Sequence, residues 1–279
     1  MRAIDMHVHV PRQPGLPESA TEEAMRQYFR VQSMPKNYDE MAAKYQELDL
    51  FGVILSIDTE TVSGEPPDTN DYIAEIVRKY PEQFLGFASV DPWKGKWAVN
   101  ELERSIRELG LKGLKLHPVA QAFFPNDTKF YPLYEKCSAL GVPVLFHTGM
   151  AATGAGTPGG GGYKLKYSAP IPGIDDVAAD FPDLTIIMAH PAWPWIDEQI
   201  AVALHKPNVF LDLSGWSPKF IPEVLIREAN TRLRDKVLFG SDYPFITPER
   251  WLAEWEELPI RDEVRPKILI ENAKRALGL

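Results

Sequence analysis

Eight short apolar runs punctuate the chain, and the stretches between them carry helical rather than extended periodicity. The runs occupy 3–9, 51–57, 84–90, 113–117, 142–147, 184–190, 209–213 and 237–242. Their spacing is near the roughly 30 residues that a strand, a crossover helix and their turns require. Between them, 70–80 places Ile73, Ala74, Ile76, Val77 and Tyr80 on one helical face, and 97–109 does the same with Ala98, Leu102, Ile106 and Leu109. Apolar strands alternating with amphipathic helices imply parallel pairing, and eight such units close naturally into an α/β (β/α)8 barrel of the TIM type. An open doubly wound sheet is the competing arrangement, but no Gly-x-Gly-x-x-Gly follows the first run. Without a repeat or a linker-like stretch, 1–279 is expected to form a single barrel domain.

Two connections exceed what a minimal unit needs: 10–37 after the first run and 148–172 after the fifth. Both leave a strand at its C-terminal end, the face on which such barrels build their sites, so both are expected to lie over the active site. The second contains Gly154, Gly156 and four glycines at 159–162. No Gly-Lys-Ser/Thr follows, so the stretch is expected to be a lid rather than a nucleotide loop.

Composition narrows the partners. With 30 Lys+Arg against 39 Asp+Glu and a net charge of −9, nucleic acid and anionic membrane are not expected. The single cysteine, Cys137, excludes an intramolecular disulfide and a thiolate zinc cage. It shares a helical face with Leu133, Tyr134 and Leu140, which points to packing. No run is long enough to span a membrane, and Met1-Arg2 leads into a polar-ended strand, so a cytoplasmic enzyme acting on a small molecule is expected, with a homo-oligomer left open.

The six histidines carry the chemistry, because most of them end apolar runs. In Asp5-Met6-His7-Val8-His9, equal parity predicts that Asp5, His7 and His9 all face the barrel interior. A lone His-x-His is also what a core histidine looks like. Here, however, His147 ends the fifth run, His190 the sixth and Asp242 the eighth. Burying several imidazoles and a carboxylate together without a role carries a desolvation cost that a site must justify. Neutral imidazoles with a carboxylate suit Zn²⁺, and Mn²⁺ or Fe²⁺ fit the same donors because no soft thiolate restricts the choice. His7, His9, His147 and Asp242 are therefore assigned to one divalent ion, leaving a position for water or substrate. His190 is assigned as general acid/base, with a ligand role as its alternative. On the fourth run Lys115 and His117 share inward parity. Lys115 is expected to pair with a carboxylate or a substrate oxyanion, the alternative being carbamylation to bridge a second metal. His117 is open between substrate contact, support for a ligand and simple packing.

With these residues in place, the chain resembles the amidohydrolase superfamily, in the amidohydrolase-2 branch that includes aminocarboxymuconate semialdehyde decarboxylase. The likeness runs from the motif at 5–9 through Tyr80-Pro81-Glu82-Gln83-Phe84, Gly113-Leu114-Lys115-Leu116-His117-Pro118 and Gly240-Ser241-Asp242-Tyr243-Pro244 to Glu271-Asn272-Ala273-Lys274-Arg275. It implies one divalent metal on His7, His9, His147 and Asp242, with His190 as acid/base.

A finer likeness, through 92–96, 123–127, 164–168, 175–182 and 214–218, resembles bacterial 4-hydroxyphenyl-β-ketoacyl-CoA hydrolases. It implies hydrolysis of a C–C bond beside a ketone in an aryl β-ketoacyl-CoA thioester. Lys94, Lys96, Lys164 and Lys166 would then meet CoA phosphates, although each alone reads as a solvated charge. Trp193, Trp195, Trp216, Phe123 and Phe124 would line a ring pocket, although rim packing explains them equally well. Trp193 and Trp216, with Lys115 and His117, are the substrate contacts expected.

The alternative is a non-oxidative, metal-dependent decarboxylase of a small aromatic or unsaturated carboxylic acid. It needs a cation near the metal, where a CoA hydrolase needs a basic outer rim. A barrel that only binds, without turnover, is the reading from a different class. His205, at a helix end, and Trp251 and Trp255, at i and i+4, read as structural or interface residues.

Overall fold

A computed structural model describes residues 1–17, 19–31 and 34–279. Its strands are β1 (Ala3–His9), β2 (Leu50–Leu55), β3 (Phe84–Gly86), β4 (Ala88–Ser89), β5 (Leu114–Leu116), β6 (Val144–His147), β7 (Ile186–Ala189), β8 (Val209–Asp212) and β9 (Val237–Leu238). All neighbouring pairs are parallel, in the order β1-β2-β3 and β4-β5-β6-β7-β8-β9. β3 and β4 are two halves of one barrel strand interrupted at Phe87, whose amide bonds Ile54. At the other seam Met6 donates to Phe239, Asp242 to His7 and His9 to Tyr243. The sheet therefore closes as the eight-unit barrel expected, and every apolar run contributes to it.

Alternation along the strands sorts side chains between two cores. Ile4, Val53, Leu85, Leu145, Ile187, Phe210 and Leu238 meet inside the barrel. Val8, Ile54, Phe84, Leu116, Phe146, Met188 and Leu211 face outward onto the helical layer. That layer forms where the periodicity placed it. Helix Asn70–Lys79 is capped by Thr69 and buries Tyr72, Ile73, Ala74 and Ile76, while helix Lys96–Arg107 buries Ala98 and Leu102. Cys137 is fully buried in helix Tyr131–Leu140, and Trp251 and Trp255 stack at 5.2 Å inside the core rather than on a surface. His205 is the last residue of helix Ile196–His205.

One parity expectation fails. Between Asp5 and Val8, β1 carries one more residue than β2 carries between Gly52 and Ile54, so the strand bulges. The extra residue reverses the faces, and Asp5 points outward while His7 and His9 point in. Asp5 accepts hydrogen bonds from Tyr45 Oη at 2.8 Å, from the Ser241 amide at 2.8 Å and from Ser241 Oγ. Burial still pushes its carboxyl up to about 6. Its place is the seam, where it ties β1 to the segment that carries Asp242.

Of the long connections, 10–37 contains the helix Ala20–Phe29, and 148–172 contains two short 3-10 turns, Pro158–Gly162 and Leu165–Ser168. Among the described residues, no helix is long and apolar enough to cross a membrane.

Candidate metal centre and active site

The C-terminal strand ends bring the assigned residues to one cavity, lined by His7, His9, Lys115, His117, His147, His190 and Asp242 together with Trp216. For most of them, strand parity suffices. His190 is different, because Ala189 before it already faces the interior and the next residue of a pleated strand would face out. A left-handed backbone at His190, φ 71°, turns its ring back into the cavity, and Asp242 also sits at φ 69°. Non-glycine residues held there are strained, and such strain persists where surrounding structure over-determines it.

Asp242 Oδ1 lies 3.5 Å from His7 Nε2 and 3.2 Å from His9 Nε2. The donor atoms of His7, His9 and Asp242 lie within 4.8 Å of one another, a spacing from which three ligands can close on one ion. His147 stands one ring further on, 4.7 Å from His190 and stacked on His117 at 3.8 Å. Its Nε2 is buried without any hydrogen-bond partner. A buried polar atom left unpaired is costly, and a cation is the partner that a bare imidazole lone pair can take. The donor set and that orphaned atom fit a divalent metal.

Burial favours the neutral form of the imidazoles of His7, His117, His147 and His190. Burial and the Lys115 charge hold His7 well below the usual histidine range, and the same two causes act on His117. Burial also lowers His147, with His117 adding to the effect. Asp242 behaves oppositely. Burial alone would raise it, but the hydrogen bond from His9 and the close imidazoles of His7 and His190 carry it below the carboxylate range. Neutral rings at His7 and His147 beside an ionised Asp242 are in the direction that metal ligation needs.

Lys115 is fully buried, its Nζ 3.3 Å from His7 Nε2. Burial draws it down to about 8, opposed by Asp212 and Asp242. His117 Nδ1 accepts from the Ala120 amide at 3.2 Å, which leaves the ring proton on Nε2. His117 therefore offers the cavity a donor rather than a lone pair.

Two residues of the site escaped the sequence reading. Asp212 ends β8 and is fully buried, and Ser214 follows it. Ser214 Oγ lies 2.9 Å from His190 Nδ1 and 3.2 Å from His7 Nδ1, and it donates to Asp212 Oδ1. Asp212 Oδ1 also accepts from the amides of His190 and Ser214 at 3.2 and 2.9 Å. His7, His190 and Asp212 make a second trio of close donor atoms, but Ser214 Oγ lies against both rings and the carboxylate, which leaves the trio with His9 and Asp242 the more open to an ion. The available signal was parity: Asp212 shares the inward face of Phe210.

The rim is built differently from the floor. Ser19, Thr21, Glu22, Met25 and Phe29 of the first long connection line the cavity. Phe29 stacks on Phe245 at 5.1 Å, and Phe245 meets His9 edge-on. Glu65 and Asp68 also reach the lining. Arg12 is engaged by the carbonyls of Pro66 and Pro17 and by Asp68 at 3.5 Å. From 148–172, Met150, Ala152 and Thr153 line the cavity, whereas the glycines at 154–162 do not. Trp193 is also outside the lining and is 49% exposed, so of the two expected tryptophans only Trp216 is brought to the site. Lys94 is held by Asp58 at 2.9 Å and Glu60 at 2.6 Å. Lys96, Lys164 and Lys166 are exposed on the surface.

The sequence pattern of the amidohydrolase family (Amidohydro_2) matches residues 4–279. The chain is similar to 2-amino-3-carboxymuconate-6-semialdehyde decarboxylase of Dictyostelium discoideum, 24% identical over 239 residues that cover 75% of this chain and 65% of that one. It thus spans slightly less than two thirds of that relative. Similarity to the gamma-resorcylate decarboxylase of Polaromonas sp. strain JS666 is 27% over 249 residues, covering 75% of each chain. Among solved structures, an uncharacterized TIM-barrel protein of Bordetella bronchiseptica superposes with a TM-score of 0.84 at 27% identity, covering 100% of this chain and 99% of that one.

Proposed function

We propose, on the premise that this chain belongs to the amidohydrolase family, that it is a metal-dependent, non-oxidative decarboxylase of a small aromatic or unsaturated carboxylic acid. The observation that carries this is the layout of charge in the cavity: a buried cation, Lys115, stands on the floor among the metal donors, while at the rim Glu22, Glu65 and Asp68 outnumber Arg12, which is paired with Asp68. A carboxylate substrate is drawn to the floor. A CoA thioester would need cations where these carboxylates are, and Lys94, the lysine expected to meet its phosphates, is already neutralised by Asp58 and Glu60. The relatives named as decarboxylases support the same choice.

His7, His9, His147 and Asp242 would hold the ion, with Zn²⁺, Mn²⁺ and Fe²⁺ all compatible with these donors. When bound, a divalent metal supplies a Lewis acid that orients substrate oxygens and takes up negative charge as it develops. Lys115 pairs with the substrate carboxylate and fixes its orientation. Phe29, Met25, Met150, Leu55 and Phe245 surround the remainder of the acid with apolar surface and exclude water. The bond to the carboxyl carbon then breaks, its electron pair stays on the substrate carbon, and CO₂ departs. His190 first takes a proton from solvent onto Nε2 and then delivers it to that carbon, so a carboxylate and one proton from water become a C–H bond and CO₂.

Purified protein incubated with a panel of aromatic and unsaturated carboxylic acids should release CO₂ in a chelator-sensitive manner, read by mass spectrometry of the products. Cleavage of aryl β-ketoacyl-CoA esters without CO₂ release from any acid would overturn the proposal. His190→Asn should lower kcat by at least about 100-fold, in line with loss of a positioned proton donor, while metal content stays at the wild-type level.

A further inference from the structure

The hydroxyl of Ser214 touches three groups: a carboxylate and the Nδ1 atoms of two imidazoles that face the site. A hydroxyl has one proton to give and two lone pairs with which to accept, and a carboxylate can only accept. The proton therefore goes to Asp212 Oδ1. Both ring nitrogens must then act as donors toward Oγ, His190 Nδ1 at 2.9 Å and His7 Nδ1 at 3.2 Å. His7 Nδ1 has a second acceptor in Asp212 Oδ2 at 3.5 Å. Asp212 Oδ1 is itself held in place by the amides of His190 and Ser214, so a hydroxyl turned the other way would set its lone pairs against a fixed carboxylate oxygen.

We infer that Ser214, anchored by Asp212, is the positioning residue that sets the tautomers of a metal ligand and of the acid/base residue together. Both His7 and His190 carry their ring proton on Nδ1 and present Nε2 to the cavity as a lone pair. For His7 that is the atom facing Asp242, the one a metal would take. For His190 it is the atom that picks up and returns the proton of the reaction. Loss of one hydroxyl thus loosens two functions at once, which neither His7 nor His190 alone would reveal.

The inference rests on the proposed roles of His7 and His190, and its test is read without turnover. Histidine-¹⁵N NMR of the metal-free, full-length protein, with the His190 signals identified by their loss in His190→Asn, should show a protonated Nδ1 and a bare Nε2 for His190. In Ser214→Ala the ring should become a mixture of tautomers. Metal affinity, measured by chelator competition, should fall about 10- to 100-fold, the usual effect of removing a ligand's hydrogen-bond partner. A wild-type His190 protonated at Nε2 would overturn the inference, as would Ser214→Ala with unchanged tautomers and affinity. The wild-type spectrum decides even if the variant misfolds. The expected tautomers in a protein that releases no CO₂ would refute the decarboxylase proposal and leave this one standing.

Discussion

Gly215 shows how closely the site is set at the scale of one residue. Its φ is +72°, and a Cβ there would fall 2.6 Å from His190 Nδ1 and 3.3 Å from Asp242 Oδ2. Gly215→Ala meets two costs: about 1–2 kcal/mol for an L-residue in the left-handed region, and displacement of the imidazole. A shift near 1 Å in a catalytic group can cost about 100-fold, so kcat should drop by between ten- and 100-fold with the fold intact by circular dichroism. Near-normal kcat would show that the His190 ring is not confined by this close approach. The same scale shows what was legible beforehand. His9, His147, His190 and Asp242 stood out because each ends an apolar run, and His7 because it shares the parity of His9 on the first of them, where a polar residue has no packing reason to be. Asp212 stands one residue before the end of a run, but a single carboxylate there resembles an ordinary strand terminus, and Ser214 carries no charge pattern. Trp193 was expected at the site from its place after a strand, yet chain position does not fix side-chain direction in a loop, and it faces out.

Among the elements, the helix Ala20–Phe29 is tethered near both of its ends. It buries none of its own residues. Ser19 Oγ accepts from the Glu22 amide at 3.1 Å and donates to Glu65 Oε2 at 2.6 Å, and Glu65 Oε1 accepts from the Ala20 amide at 3.1 Å. Phe29 on Phe245 holds the other end. Ser19→Ala should therefore cost about 1 kcal/mol locally, the usual value of an N-cap. Amide exchange across 20–29, followed by mass spectrometry, should accelerate about fivefold, with Tm within about 1 °C of wild type because no core contact is lost. An equal change in exchange throughout the barrel would contradict a locally tethered helix. Periodicity located the strands and helices well, since core faces dictate it. It could not locate the β1 bulge, because one inserted residue leaves the apolar pattern readable while reversing a face, and Asp5 was misplaced for that reason.

Over the whole molecule, the site closes the barrel. β9 is only two residues long, and the seam with β1 rests on three backbone hydrogen bonds and on Asp5 with Ser241. His7 and His9 stand on one side of that seam and Asp242 on the other, so an ion held by all three would clamp it. Ligands more than 230 residues apart in sequence would then share one bond set. An ion that binds only the folded state at about 100 times its Kd adds about 2.7 kcal/mol. In a chain of this size each kcal/mol moves Tm by about 2–4 °C, so adding Zn²⁺ or Mn²⁺ to chelator-treated protein should raise Tm by roughly 5–10 °C. Asp242→Asn should lose most of that increment, because it removes the one charged ligand and the far side of the clamp together. Exchange at the seam amides of Met6, His9 and Asp242 should slow on metal addition more than at the β6–β7 pairing. Equal protection at both places would mean that the ion stabilises the barrel without closing it.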